Sequence, residues 1–314
     1  MDDAKAVMVP MEVQWSPARL TWVAATTTCL RAFGVDCDQP DVAGLSGYAF
    51  VLDVHRQLCP SGPTAFDWRP LTEGVPFVGR STQEFGGPGS DLRGAYEFSA
   101  GEIAAGRPCV IWGAYVPEFA VAIGVEDGAF LVKSFREVTG EPQPPIPCEE
   151  LQVPGGPYAL AFPASVQADR AAGDRHAIAR AATILAAPGG GPDYGHGLAG
   201  YDIWIEALEA DRADPSGNAY NTQCYTEGRR FAHEFLKRVA ARNPEVAEPL
   251  GQAALAYAEA REAMEELARV FPFPAHDEVR DPANRAKATD LLRRAQAAEG
   301  RAAEALAEVA DNCG

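Results

Sequence analysis

The sequence predicts an α+β protein of two domains, a first domain built around an antiparallel sheet and an all-helical second domain. Three observations lead to this prediction. The chain has 314 residues, about twice the usual domain size of roughly 150 residues. Its first half carries short apolar segments separated by glycine and proline, which is typical of strands. From Ala164 onward, alanine, glutamate and arginine recur at helical spacing. We therefore expect one domain over residues 1–163 and a helical bundle over residues 164–314.

The first half alternates predicted helices and strands. The segment Ser16–Phe33 predicts the first helix, with Ser16 as its N-cap and Pro17 at the first helical position. Tyr48–His55 alternates apolar and polar residues and predicts a strand. A short helix capped by Ser99 follows a turn-rich connection. Further strands are predicted in the segments PCVIWGAYV, EFAVAIGVED, GAFLVKSF and YALAFP, with a hairpin turn at EDG between the second and third.

The second half contains five amphipathic patterns, separated by loops that hold the glycines and prolines that end helices. The predicted helices lie at about Val166–Ala186, Gly197–Asp211, Ala219–Asn243, Glu245–Val270 and Asn284–Asp311. Few β-branched residues occur here. Packed amphipathic helices are therefore expected to form the second core.

The net charge of −17 opposes binding to nucleic acid or to anionic membranes, because both require clustered lysine and arginine. The N-terminal segment lacks the apolar run of a signal peptide, and no segment reaches the roughly 18 apolar residues of a membrane span. We therefore expect a cytoplasmic, bacterial-type protein that does not bind membranes. A homo-oligomer is compatible with this composition.

The cysteines predict reduced thiols rather than a disulfide framework, because their number is odd and no C-x-x-C pair occurs. The seven positions are Cys29, Cys37, Cys59, Cys109, Cys148, Cys224 and Cys313. No spacing matches a zinc, phosphate-loop or dinucleotide motif. No metal and no cofactor is therefore expected.

Two segments of the first half carry a family resemblance. ARLTWVAATTTCLRAFG, followed later by VIWGAYVPEFAVAIGVEDGAFLVKSF, resembles papain-like domains. It looks like the cysteine peptidase domains that cut bacteriocin leaders, and like the N-terminal acyltransferase domain of the butirosin-biosynthesis protein H family. The resemblance covers about Val13 to Pro163. It implies a papain-like fold with a cysteine at the start of the first helix, a histidine opening a strand and an aspartate one strand later.

This chain departs from that pattern at all three positions. Counting back from Gly34 places Thr21 at the cysteine position, and counting back from Gly124 places Glu118 at the histidine position. Ser134 falls near the aspartate position. A threonine without an adjacent base is a poor nucleophile, and a carboxylate is a weaker base than imidazole. A degenerate catalytic triad is therefore predicted. Cys29, the nearest thiol, lies in mid-helix and is interpreted as a core residue.

Two groups of residues are candidates for ligand binding. Glu118 opens an apolar strand and could bind a ligand, although an edge-strand charge facing water explains it equally well. Trp112 could line the same cleft, but its pattern favours a core aromatic. On a helix of the second half, Asn221, Cys224 and Tyr225 share one stripe. Such a stripe indicates that another element approaches the helix closely. The stripe then either lines a ligand site or packs the two domains together.

The leading hypothesis is a non-catalytic papain-like protein that binds a small molecule or peptide in the cleft between its domains. The alternative is a cysteine-dependent acyltransferase, amidase or peptidase similar to the butirosin protein. Its catalytic pair would be Cys59 with His55, near Asp67, or Cys224 with His196. A purely structural or partner-binding protein is a third hypothesis.

Overall fold

The computed structural model describes residues 6–187 and 193–312 of the chain. The described chain combines helices with an antiparallel sheet. The helices are α1 (Thr21–Ala32), α2 (Gln39–Leu45), α3 (Leu92–Ala104), α4 (Arg136–Thr139), α5 (Arg170–Ala186), α6 (Leu198–Glu209), α7 (Pro215–Arg242), α8 (Ala247–Val270) and α9 (Pro282–Asn312). The strands are β1 (Val7–Met8), β2 (Asp53–His55), β3 (Gln83–Gly86), β4 (Cys109–Trp112), β5 (Phe119–Glu126), β6 (Ala129–Lys133), β7 (Ile146–Pro147), β8 (Tyr158–Ala161) and β9 (Tyr194–His196). No helix of the described residues is long and apolar enough to cross a membrane.

The chain divides into two compact units. Unit 1 comprises Met1–Val42 and Val75–Arg170, and unit 2 comprises Ala43–Gly74 and Ala171–Gly314. A segment from the first half of the sequence therefore belongs to the helical unit. The sequence predicts a single boundary after residue 163, which would place residues 43–74 in the first domain. In the structure these residues belong to unit 2.

Unit 1 contains a seven-stranded antiparallel sheet. Along it the strands follow the order β3-β8-β4-β5-β6-β7, and β1 pairs with the second half of β5. The predicted segments form β4, β5, β6 and β8, which confirms the antiparallel sheet. The EDG turn joins β5 to β6, with Asp127 and Gly128 both at positive φ. Such a turn matches the twist of the two strands.

The first helix is shorter than the sequence predicts. It begins at Thr21, so neither Ser16 nor Pro17 is helical. The backbone N–H of Ser16 instead donates to the hydroxyl of Thr28 at 2.9 Å. From Thr21 to Leu30 every residue of α1 is buried. Packing of this helix within unit 1 therefore decides where it begins, in preference to the local capping signal.

The helix expected at Ser99 begins earlier. Asp91 is its N-cap and accepts a hydrogen bond from the N–H of Gly94 at 2.7 Å. Ser99 lies buried inside α3. The prediction was wrong because Gly94 weakens the helical signal of the first turn.

Unit 2 is a helical bundle in which α8 packs against both α7 and α9. The predicted helices of the second half correspond to α5 through α9, and their ends differ by only a few residues. The largest shifts are at the start of α7, which lies four residues earlier than predicted, and at the start of α5, which lies four residues later. There the N–H of Val166 donates to the carbonyl of Gly79 at 3.0 Å, which holds residues before Arg170 in an extended conformation.

A buried ion pair joins α7 to α9. Nε of Arg229 donates to Glu299 Oε1 at 2.6 Å and Nη2 donates to Oε2 at 3.0 Å. Both side chains have almost no exposure. Nη1 of Arg229 donates to the carbonyl of Val51 at 2.7 Å, and the hydroxyl of Tyr201 donates to Glu299. The pair therefore fixes the chain immediately before β2.

The second half is not purely helical, because Tyr194–His196 forms strand β9. It pairs antiparallel with β2. Of the predicted strand Tyr48–His55, Asp53–His55 forms a strand, whereas Tyr48–Phe50 forms a turn of 3₁₀-helix. The predicted loop between α5 and α6 includes residues 188–192, which lie outside the described residues.

Candidate functional site

Thr21 and Glu118 are in direct contact in unit 1. Thr21 is the first residue of α1, and Glu118 precedes β5. The Thr21 hydroxyl donates to Oε2 of Glu118, across 97 residues of sequence. The same hydroxyl accepts the N–H of Phe119 at 3.1 Å. Counting along the helix and the strand had placed these two residues at the cysteine and histidine positions, and the structure brings them together.

The start of α1 is a favourable place for a carboxylate. Leu20 occupies the N-cap and supplies no capping side chain. The unpaired N–H groups and the dipole of a helix N-terminus stabilise a nearby negative charge by about 0.3–1 kcal/mol. The Glu118 carboxylate, hydrogen-bonded to the first residue of the helix, therefore lies where a helix N-terminus favours a negative charge.

The β4–β5 loop that carries Glu118 is held rigidly. Tyr115 has a φ of +69°, which a non-glycine residue adopts only when its surroundings enforce it. Its carbonyl accepts Nε2 of Gln152 at 2.7 Å, and its hydroxyl donates to the carbonyl of Pro144 at 2.8 Å. The guanidinium of Arg136 lies 3.8 Å from the centre of its ring. The position of the loop is thus fixed before any ligand arrives.

The other two predicted residues of this site are buried. Trp112 is 1% exposed, and its ring centre lies 4.7 Å from that of Phe119. It presents almost no surface to a ligand in this conformation. Ser134 has no exposure and donates to Gln143 Oε1 at 2.8 Å. Within the described chain, no hydrogen bond joins Ser134 to Glu118.

None of the six described cysteines forms a disulfide. Cys313 lies outside the described residues. Burial raises the pKa of Cys29 well above its ordinary value and raises the pKa of Cys37 and of Cys109 to about 12. Cys224 is fully buried as well. The thiols of Cys29, Cys37 and Cys109 therefore stay protonated at neutral pH and lack the thiolate form that attacks a substrate.

Cys59 is only partly buried, but the expected catalytic pairs do not form among the described residues. Nδ1 of His55 accepts the N–H of Gln57 at 3.2 Å, and no hydrogen bond joins His55 to Cys59. Asp67 instead forms an exposed ion pair with Arg69 at 2.7 Å, which holds the pKa of Asp67 below its ordinary value.

The polar stripe on α7 packs against the segment that contains β2. Nδ2 of Asn221 donates to the carbonyl of Cys59 at 3.2 Å. The hydroxyl of Tyr225 accepts the N–H of Asp53 at 3.1 Å and donates to the carbonyl of the same residue. A Cβ atom on Gly62 would lie 2.3 Å from that carbonyl oxygen. The close approach expected from the stripe is therefore made by residues 53–62 of the same unit.

Sequence reasoning missed the contact between Asp53 and His196. Asp53 Oδ1 contacts Nδ1 of His196, which the sequence analysis considers only as an alternative catalytic partner of Cys224. Burial raises the pKa of Asp53 to about 8 and lowers the pKa of His196. The only local indication is that polar residues flank a non-polar one in both Asp-Val-His and Tyr-Gly-His. This alternation does not show that the two segments pair with each other.

No protein-family model and no curated protein matches this chain. The papain-like resemblance therefore stays a prediction. Among residues 6–187 and 193–312, no group of three or more histidine, cysteine, aspartate or glutamate side chains is arranged to hold a metal ion.

Proposed function

We propose that this protein binds a small molecule or peptide without turning it over, through a papain-like unit 1 that has lost its catalytic residues. The observation that carries the proposal is the hydrogen bond from Thr21 to Glu118 at the start of α1. A cysteine enzyme needs a thiolate at this point and an imidazole beside it. Here a hydroxyl lies beside a carboxylate, which is a weak base at neutral pH.

The proposed ligand carries an amino group. Glu118 is partly exposed at the edge of the rigid β4–β5 loop, and the neighbouring Val116 exposes 36% of its surface. A carboxylate beside apolar surface suits an ammonium group attached to a short hydrocarbon chain. The net charge of −17 also favours the approach of cations over anions.

The test compares two probes of similar size and opposite charge, n-butylammonium and butyrate, on ¹⁵N-labelled protein. We expect saturable shifts of the backbone amide signals of residues 113–116, Glu118 and Phe119 with n-butylammonium only. Glu118→Gln should abolish them, whereas Glu150→Gln, at an exposed carboxylate of the same unit, should not. Equal shifts with both probes, or with both variants, would contradict the proposed site.

The absence of catalysis needs a separate measurement. We expect no turnover of acyl-thioester or peptide substrates above that of a control protein. Turnover that disappears in a Cys59→Ala variant would instead establish the cysteine-dependent acyltransferase or peptidase alternative.

A further inference from the structure

Four polar side chains lie on one face of the β2–β9 ribbon in unit 2. In the antiparallel register, Asp53 lies opposite His196 and His55 lies opposite Tyr194. Alternate residues of a strand point to the same face, and opposite residues of two strands are neighbours. The four side chains therefore form one cluster, and Val54 and Gly195 face the other way.

Asp53 is held rigidly at the buried side of this cluster. It has no exposed surface, and its own N–H and carbonyl groups both bond to the Tyr225 hydroxyl. Neither carboxyl oxygen of Asp53 has a hydrogen-bond partner in the described chain, but Oδ1 contacts Nδ1 of His196. The carboxyl group of Asp53 therefore faces the imidazole of His196, while its backbone groups bond to Tyr225.

His196 reaches the surface, since 29% of its side chain is exposed. Nδ1 faces the carboxyl group of Asp53, so Nε2 is the ring nitrogen on the opposite side. A buried carboxyl group against one ring nitrogen, with the second nitrogen directed elsewhere, is the arrangement that orients histidine for proton transfer in enzymes.

Hydroxyl groups and a strained backbone lie beside this pair. The hydroxyls of Tyr194 and Ser61 are 2.8 Å apart, and the His55 ring centre lies 5.1 Å from that of Tyr194. Leu58, which lies between His55 and Ser61 in sequence, has a φ of +56°. This backbone conformation costs a non-glycine residue free energy. Hydroxyl and imidazole groups can exchange hydrogen bonds with the oxygen atoms of a ligand.

We propose that unit 2 carries an acid–base site, separate from the Thr21–Glu118 site, in which His196 exchanges a proton with an oxygen atom of a bound small molecule. In the forward step Nε2–H gives its proton to an anionic ligand oxygen, and an O–H bond forms. Nδ1 takes the carboxyl proton of Asp53 in the same step. The imidazole stays neutral, and the negative charge passes from the ligand to Asp53. The reverse step removes the proton.

The protonation of the pair agrees with this role. Burial raises the pKa of Asp53 and lowers that of His196, because burial disfavours the charged form of each group. At pH 7 the pair is therefore neutral. Asp53 donates its carboxyl proton to Nδ1, and Nε2 carries the hydrogen that a ligand oxygen can take. A carboxylic acid kept neutral by burial serves as a proton donor in the same way in known enzymes.

The first test uses 3-nitrophenol, which absorbs visible light as the anion and whose phenolate is a stronger base than a carboxylate of pKa about 8. We expect the wild-type protein at pH 8 to reduce the absorbance of the anion saturably, because the site transfers a proton to the phenolate oxygen. His196→Gln should lose this effect. His233→Gln should keep it, since His233 lies on α7 with Nδ1 bonded to the carbonyl of Ala254. Equal absorbance with wild type and His196→Gln would overturn the proposal.

The second test measures carbethoxylation of His196 by diethyl pyrocarbonate against pH, by peptide mass spectrometry. Nε2 reacts only when it carries no hydrogen, so the wild-type midpoint should lie near pH 8, the pKa of Asp53. Asp53→Asn should move the midpoint below pH 6.5, since burial lowers the pKa of His196 from that ordinary value. The profile of the exposed His276 should stay unchanged.

A wild-type midpoint at or below pH 6.5 would overturn the proposal. Should Asp53→Asn not fold, ¹⁵N NMR of the wild-type imidazole decides the same point. Hydrogen on Nε2 at pH 7 and on Nδ1 above pH 8 is the expected result, and hydrogen on Nδ1 at pH 7 would overturn the proposal.

Discussion

Replacing Glu299 by leucine should destabilise unit 2 strongly. The change leaves the guanidinium of Arg229 buried without its carboxylate, although both side chains have almost no exposure in the native protein. Removing one partner of a buried ion pair costs about 3–5 kcal/mol. Since each 1.4 kcal/mol corresponds to a factor of about ten, amide exchange in α7 and α9 should accelerate roughly 10²- to 10⁴-fold.

Hydrogen exchange with mass spectrometry measures this effect on α7 and α9 peptides without requiring two-state unfolding of the whole chain. The matched control is Glu259→Gln, which removes an exposed partner of Arg301 on the same bundle. Exposed pairs contribute about 0–1 kcal/mol, so the control should exchange at nearly the wild-type rate.

The direction in which a second substitution changes the stability of unit 2 tests whether the buried charge causes the loss. Adding Arg229→Met to Glu299→Leu removes the unpaired charge, and the double variant should be more stable than the single variant. It should remain less stable than wild type, because the hydroxyl of Tyr201 and the carbonyl of Val51 lose their partners. A double variant that exchanges faster than Glu299→Leu would refute the argument that charge burial dominates.

Three further predictions concern the candidate sites. Thr21→Val removes the hydroxyl that donates a hydrogen bond to the Glu118 carboxylate. It should lower the free energy of unfolding by about 1–3 kcal/mol, measured by urea unfolding. An unchanged urea midpoint would contradict this hydrogen bond. Iodoacetamide at pH 6 should alkylate the partly buried Cys59 no faster than it alkylates free glutathione, an ordinary thiol; a faster Cys59 would indicate an activated thiolate. The pKa of Asp53 is raised to about 8 in the folded state, so as pH rises the unfolded chain loses the Asp53 carboxyl proton at a lower pH than the folded chain does. The free energy of unfolding should therefore fall as pH rises towards 8. This loss of stability should be clearest above pH 6.5, where His196 is neutral in the folded and in the unfolded state. Urea midpoints of the Asp53→Asn variant, measured over the same pH range, should not show it.

Local patterns in the sequence identified most of the secondary structure. The strands β4, β5, β6 and β8 and the helices of the second half were predicted from periodicity and turn residues alone. The errors lie where packing overrides a local signal. Ser16 and Pro17 form a good helix start in isolation, yet the N–H of Ser16 bonds to Thr28 in the folded chain.

The contact between Thr21 and Glu118 was predictable through a resemblance, because counting from two glycines placed both residues at positions that meet in papain-like folds. The contact between Asp53 and His196 was not. Their segments are three residues each, too short for alternation to identify a strand, and no local rule shows which distant segments pair.

The sequence by itself therefore determined the mixed fold class and the order of most elements, because these follow from periodicity and turn chemistry. Only the tertiary structure decided that residues 43–74 belong to the helical unit, that Arg229 and Glu299 pair in its core, and that Asp53 contacts His196. Each of these rests on contacts between segments far apart in the chain, which form when burial of many residues together offsets the entropy of ordering them.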